Sequence, residues 1–146
     1  MKIRDQHGYV LLEALVALLI FSLGLLGMIG FQAASTRIAT DSRFRTEAAI
    51  LADELLAKMA VDKRSVVIAN YVYDSEHGGG GAATDAWFKQ RVTAASKLAN
   101  PKVKVDVANG SAVDTFTVRV RLQWDMPGVK ETDPEHGNYV TETMLY

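Results

Sequence analysis

Ala14 to Thr36 reads ALVALLIFSLGLLGMIGFQAAST, 23 consecutive residues without a charge. As a helix rising 1.5 Å per residue, this run extends roughly 35 Å, enough to cross a hydrocarbon core of about 30 Å. A chain of 146 residues has room for one ordinary domain, which could hardly enclose so continuous an apolar cylinder. A secretory signal peptide has a shorter apolar region ending at a small-residue cleavage site. Here the run is longer and no such site follows it cleanly. The segment reads as a helix that stays in the membrane.

The flanking charges leave its orientation open. Lys2 and Arg4 precede the run, and Arg37, Arg43 and Arg45 follow it, so the positive-inside rule gives conflicting evidence. The whole chain carries 16 Lys and Arg against 17 Asp and Glu. No basic excess exists to neutralise a phosphate backbone, which argues against a nucleic-acid partner. There is no cysteine, which rules out disulfide scaffolds, Cys-type zinc sites and thiol catalysis.

One residue stands out. Glu13 sits at the start of the apolar run, directly after Tyr9-Val10-Leu11-Leu12. An unpaired ionisable group at that depth costs a few kcal/mol and is a functional candidate by default. The alternative is a carboxylate snorkelling to the headgroups at the edge of an ordinary span.

Gly8-Tyr9-Val10-Leu11-Leu12-Glu13-Ala14-Leu15-Val16-Ala17 resembles the class III signal of type IV pilins and pseudopilins. In that family a short polar leader ends in Gly, followed by an aromatic residue, three mostly apolar residues, Glu and a long apolar helix. Here the leader is MKIRDQH before Gly8, and Tyr9 stands where the family usually has Phe. The continuation from Leu18 through Ser22-Leu23-Gly24-Leu25-Leu26-Gly27 to Phe31-Gln32 is similar to minor pilins of the PilV type. Major pilins tend to place a Pro near the position of Gly30. The resemblance is specific over about residues 8–35 and general in architecture beyond.

The resemblance implies a prepilin peptidase that cuts between Gly8 and Tyr9 on the cytoplasmic face and methylates the new amine of Tyr9. Glycine before the cut suits a protease that must approach the backbone closely. It further implies a division into a leader (1–8), a transmembrane and filament-core half-helix (9–36) and an exported domain (37–146). The chain would reside in the inner membrane, with its C-terminal domain periplasmic, until it enters a pilus. Its partners would be the lipid bilayer, the peptidase, the inner-membrane assembly machinery and other minor and major pilins. The new ammonium of Tyr9 could pair with Glu13 of a neighbouring subunit, offsetting two desolvation penalties at once. The implied function is a minor pilin of the initiation or tip complex. A type II secretion pseudopilin and a single-span anchored binding or sensor domain remain alternatives.

Beyond the apolar run, no proline occurs between Met1 and Asn100, so nothing stops the helix from continuing. Ile38, Phe44, Ala48, Leu51, Leu55 and Met59 recur mostly at three- or four-residue steps, with charged residues between them. This predicts one helix from about Tyr9 to Ala60, apolar all round in its first half and amphipathic in its second. Gly24, Gly27 and Gly30 interrupt it at three-residue intervals. They read either as close-packing positions or as a section that unwinds on assembly.

Ser65 to Tyr73 (SVVIANYVY) is β-branched and aromatic and reads as a strand or extended loop. Gly78 to Gly81 reads as a mobile loop; no Gly-Lys-Ser/Thr follows that would make it a phosphate cradle. Thr84 and Asp85 offer N-caps for a helix to about Ala99, with Phe88, Val92, Ala95 and Leu98 or Ala99 on one face, ended by Asn100-Pro101. The period then becomes two, in Val103-Val105-Val107 and in Phe116-Val118-Val120-Leu122-Trp124, with Asn109-Gly110 as the turn between. Met126-Pro127-Gly128 breaks the second strand, and Tyr139 to Tyr146 supplies a third. The predicted class is α+β: a pilin-like long helix packed on an antiparallel sheet of three to four strands.

Catalytic motifs are missing. His7, His77 and His136 lie far apart, and no Ser-His-Asp frame, P-loop or dinucleotide fingerprint is present. Asp74, Glu76, His77 and Asp85 flank the glycines, but their spacing matches no zinc or EF-hand pattern. The reading is a non-enzyme with no metal and no cofactor.

Overall fold

A computed structural model describes residues 7–110, 115–126 and 137–146. The chain divides into two units at Thr40/Asp41, and helix α1 (His7–Val61) runs through the division. Its span agrees with the predicted helix, which no proline interrupts.

In the first unit, every residue from Tyr9 to Ala39 is exposed. This stretch of α1 is long and apolar enough to cross a membrane. Ile38 belongs here. It was expected on the packed face, but it is 71% exposed.

The second unit holds the core. Along α1 the buried face is Ala48, Leu51, Ala52, Leu55 and Met59, with Phe44 packed at its edge. The steps of three and four residues set these side chains in one stripe. They join one cluster with the inward side chains of the sheet: Val103 and Val105, then Val118, Val120, Leu122 and Trp124.

That sheet is antiparallel and has five strands in the order β2-β1-β3-β4-β5. Of the three long strands, β3 (Ala99–Asn109) and β4 (Phe116–Asp125) contain the two alternating runs, and β5 (Gly137–Leu145) overlaps the third strand expected at Tyr139–Tyr146. The two further strands, β1 (Tyr73–Asp74) and β2 (Gly79–Gly80), have two residues each. They raise the count above the expected three or four because strands this short carry no readable alternation.

The glycine run is therefore not a loop throughout. Tyr73 pairs with Gly80 and Asp74 with Gly79, and Gly78, Gly79 and Gly80 all have positive φ. Only residues without a Cβ adopt that sequence of conformations readily. A Cβ at Gly80 would also strike the Val72 carbonyl oxygen.

Of Ser65–Tyr73, only Val72 and Tyr73 are extended. Arg64–Tyr71 forms helix α2, because the four-residue step from Val67 to Tyr71 puts both side chains in the core. Burial of that face overrides the β preference of its valines and isoleucine. The Tyr71 hydroxyl also reaches back to donate to Asp62 Oδ2 at 2.7 Å.

The predicted helix from Thr84 to Ala99 is shorter and changes type. Helix α3 (Ala82–Trp87) is followed directly by a π-helical turn over Phe88–Thr93. Gly81, not Thr84 or Asp85, is the N-cap. Leu98 is buried beyond the helix, and Ala99 already belongs to β3. Asn100 takes a positive φ, and the register shifts between Ala99 and Lys102, which admits Pro101 into a strand. At the other end of β3, Asn109 still pairs with Phe116 and the Gly110 amide donates to Thr115 O at 2.8 Å. The connection is thus longer than the two-residue turn expected, and residues 111–114 lie outside the described residues. Met126 is buried, while Pro127, Gly128 and His136 lie outside the described residues.

Candidate functional site

The sequence singles out the first unit, and its geometry is that of a single exposed helix. Gly8 and Tyr9 fall in the first turn of α1, where helix N–H groups lack intrahelical partners. The leader residues 1–6 lie outside the described residues. Tyr9 is 78% exposed. Glu13 follows one turn later, on the same side of the helix. It is exposed and meets no cation among the described residues.

Three hydroxyls of this stretch are treated differently. Ser22 Oγ donates to Leu18 O at 2.7 Å, Thr36 Oγ1 to Gln32 O at 2.9 Å and Thr40 Oγ1 to Thr36 O at 2.9 Å. Each of these hydroxyls is satisfied within its own helix, which is compatible with an apolar surrounding. A carboxylate cannot be satisfied in that way, since it only accepts. Glu13 is left as the one acidic group in an apolar helical surface.

Gly24, Gly27 and Gly30 lie within unbroken helix, and a Cβ at any of them would meet nothing within 4 Å. Within this chain they leave room for close approach by another body.

In the second unit the charged side chains lock elements together. Glu54 on α1 accepts from Arg91 Nε at 2.9 and 3.1 Å and from Lys58 at 3.1 Å. Burial opposes its ionised form, but the hydrogen bonds from Arg91 and Lys58 prevail and hold its carboxyl below the ordinary value. Asp85 is lowered by its hydrogen bond to Lys89 at 2.7 Å, and it also accepts from the Tyr73 hydroxyl.

The acidic residues around the glycines do not converge. Asp74 faces His77 at 3.0 Å and Lys104 at 3.2 Å, Glu76 faces Lys102 at 2.9 Å, and Asp85 has turned to Lys89. Among the described residues no three His, Asp or Glu side chains gather as metal ligands would. The ties that spacing did not disclose are Glu54–Arg91, across 37 residues, and Glu47 accepting from the Lys97 amide, across 50.

Comparison with protein-family models, curated proteins and solved structures gives no match.

Proposed function

We propose that this chain is a minor pilin of a type IV pilus, anchored by the apolar half of α1 and assembled through helix-to-helix contacts with other pilins. The observation that carries the reading is Glu13: a carboxylate without a partner among the described residues, on a helix otherwise suited to hydrocarbon. Such a group calls for a cation from another molecule. On this reading a prepilin peptidase removes residues 1–8 in the inner membrane and methylates Tyr9, and the second unit is delivered to the periplasm. The Tyr9 ammonium of one subunit then neutralises Glu13 of the next in the filament core.

An antiparallel sheet cored against the amphipathic half of the same helix supports the reading, since the folded unit keeps its own core while α1 is drawn into a filament. The resemblance of residues 8–35 to PilV-type minor pilins supplies the place in an initiation or tip complex.

The test is to shear pili from cells expressing the chain and map its amino terminus by mass spectrometry. A methylated Tyr9 in the pilus fraction is expected. Recovery of the chain only in membranes, with Met1 still attached, would overturn the proposal.

A further inference from the structure

Among the described residues, the outward face of the sheet has one cation without a counter-charge, Arg121. Along one row across the strands, Arg119 lies between Asp106 and Glu142 and is bound by Glu142 at 2.7–2.8 Å. Two residues along, Arg121 lies between Lys104 and Val140. Lys104 is in turn opposite Asp74 and bonded to it. Arg121 therefore faces a like charge on one side and an apolar residue on the other, and it has no hydrogen-bond or ion-pair partner among the described residues. Like charges directly opposite destabilise a sheet unless something neutralises them.

The same two side chains line a cavity of about 140 Å³, between the turn joining β1 to β2 and the outer face of β3 and β4. Lys102, His77 and Gln123 share its wall. Such a space takes several waters, or one tetrahedral anion. Among the lysine, arginine and carboxylate side chains of its wall, Lys102, Lys104 and Arg121 outnumber Asp74 and Glu76 by one.

We propose that this cavity binds a tetrahedral oxyanion of the phosphate or sulfate class, held by Arg121 and Lys104 across β4 and β3. Arg121 offers a planar fork of parallel N–H donors, the geometry that grips such an anion through two oxygens. Lys104 has donors left after its bond to Asp74, since an ammonium carries three protons. Gln123 adds a neutral amide donor. Asp74 already compensates Lys104 in this row, and the bound anion supplies the counter-charge that Arg121 itself lacks. The inference is independent of the pilin reading. The oxyanion comes either from free phosphate or from a phospholipid headgroup.

The experiment uses the full chain in a maltoside detergent free of phosphate, with ionic strength held constant by chloride. Inorganic phosphate is titrated while the side-chain amide signal of Gln123 and the backbone amide signals of β3 and β4 beside the cavity, present in every variant, are followed by ¹⁵N NMR. A saturable shift is expected, weakened about ten-fold or more by Arg121→Gln or Lys104→Gln and unchanged by Arg43→Gln, which removes a cation elsewhere. Arg121→Lys, which keeps the charge but loses the fork, is expected to weaken binding and guards against misfolding of the Gln variant. In a second arm, phosphatidylglycerol replaces inorganic phosphate in the micelles. A shift with phosphate alone assigns a free anion; a shift with the lipid assigns a headgroup. No saturable shift in either arm, or equal binding by Arg121→Gln, would overturn the proposal.

Discussion

Thr84, wholly buried, donates its hydroxyl hydrogen to the carbonyl oxygen of Tyr71 at 2.9 Å and so ties α3 to the end of α2. Thr84→Val keeps the shape but removes the donor, leaving a buried carbonyl without that bond. A loss of about 1–3 kcal/mol in unfolding free energy is expected. Thr84→Ser, which keeps the hydroxyl, is expected to retain most of the stability. Chemical denaturation of the three proteins under identical conditions checks both outcomes.

Gly137 opens β5 opposite Trp124, and a Cβ there would run into the indole ring. That ring is wholly buried, and its Nε1–H donates to Met126 Sδ at 3.3 Å. Gly137→Ala is therefore expected to shift Trp124 and destabilise the second unit by about 1–3 kcal/mol. Altered tryptophan fluorescence should accompany the lower denaturation midpoint.

Stability should fall in alkali. Burial, then the hydrogen bond and charge of Asp62, raise the Tyr71 hydroxyl above its ordinary value of 10.0, and burial with Asp85 does the same to Tyr73. Above that value the unfolded chain releases protons that the folded chain keeps, so the contribution is complete below it and lost as pH rises beyond it. Denaturation at about pH 8 and about pH 11 is expected to show a decline that Tyr71→Phe reduces. An equal decline in Tyr71→Phe would assign it to other groups.

Glu13→Ala should leave the second unit intact, since its core begins far along the chain at Ala48. On the proposed pilin reading, what should fall is incorporation into pili. A neighbour's Tyr9 ammonium would enter the filament core unpaired, and breaking a buried pair costs about 3–5 kcal/mol. Ser22→Ala removes a hydroxyl bonded only to its own helix and should matter little. The measurement is the ratio of each variant in sheared pili to that in membranes at equal expression. Incorporation of Glu13→Ala at the unaltered level would refute the pairing, provided Tyr9 is still processed.

Long-period signals in the sequence were legible and short ones were not. The α1 face Ala48-Leu51-Leu55-Met59 and the β4 alternation Val118-Val120-Leu122-Trp124 each repeat over several turns or pleats, so the period declares itself. Val66, Val67 and Ile68 have the side chains of a strand. Their helical state depends on which face meets the core, and that is a tertiary fact. A two-residue strand such as Gly79–Gly80 has no period to read. At the candidate site, Glu13 could be singled out because charge inside an apolar run is visible in one dimension. Arg121 could not, because its like-charged neighbour Lys104 becomes a neighbour only through strand register.

The two borders of the sheet are unequal. On one side lies β2, two glycines long, whose conformations exclude side chains. So short a border offers a newcomer almost no backbone to pair with. On the other lies β5, nine residues with a single charge, Glu142, and without lysine or proline. Its one described outside tie is Arg45 Nη1 donating to Asn138 O at 3.3 Å. Among the described residues the sheet is therefore lopsided: it is terminated at the glycine hairpin, and β5 is the border with backbone enough to pair with a further strand.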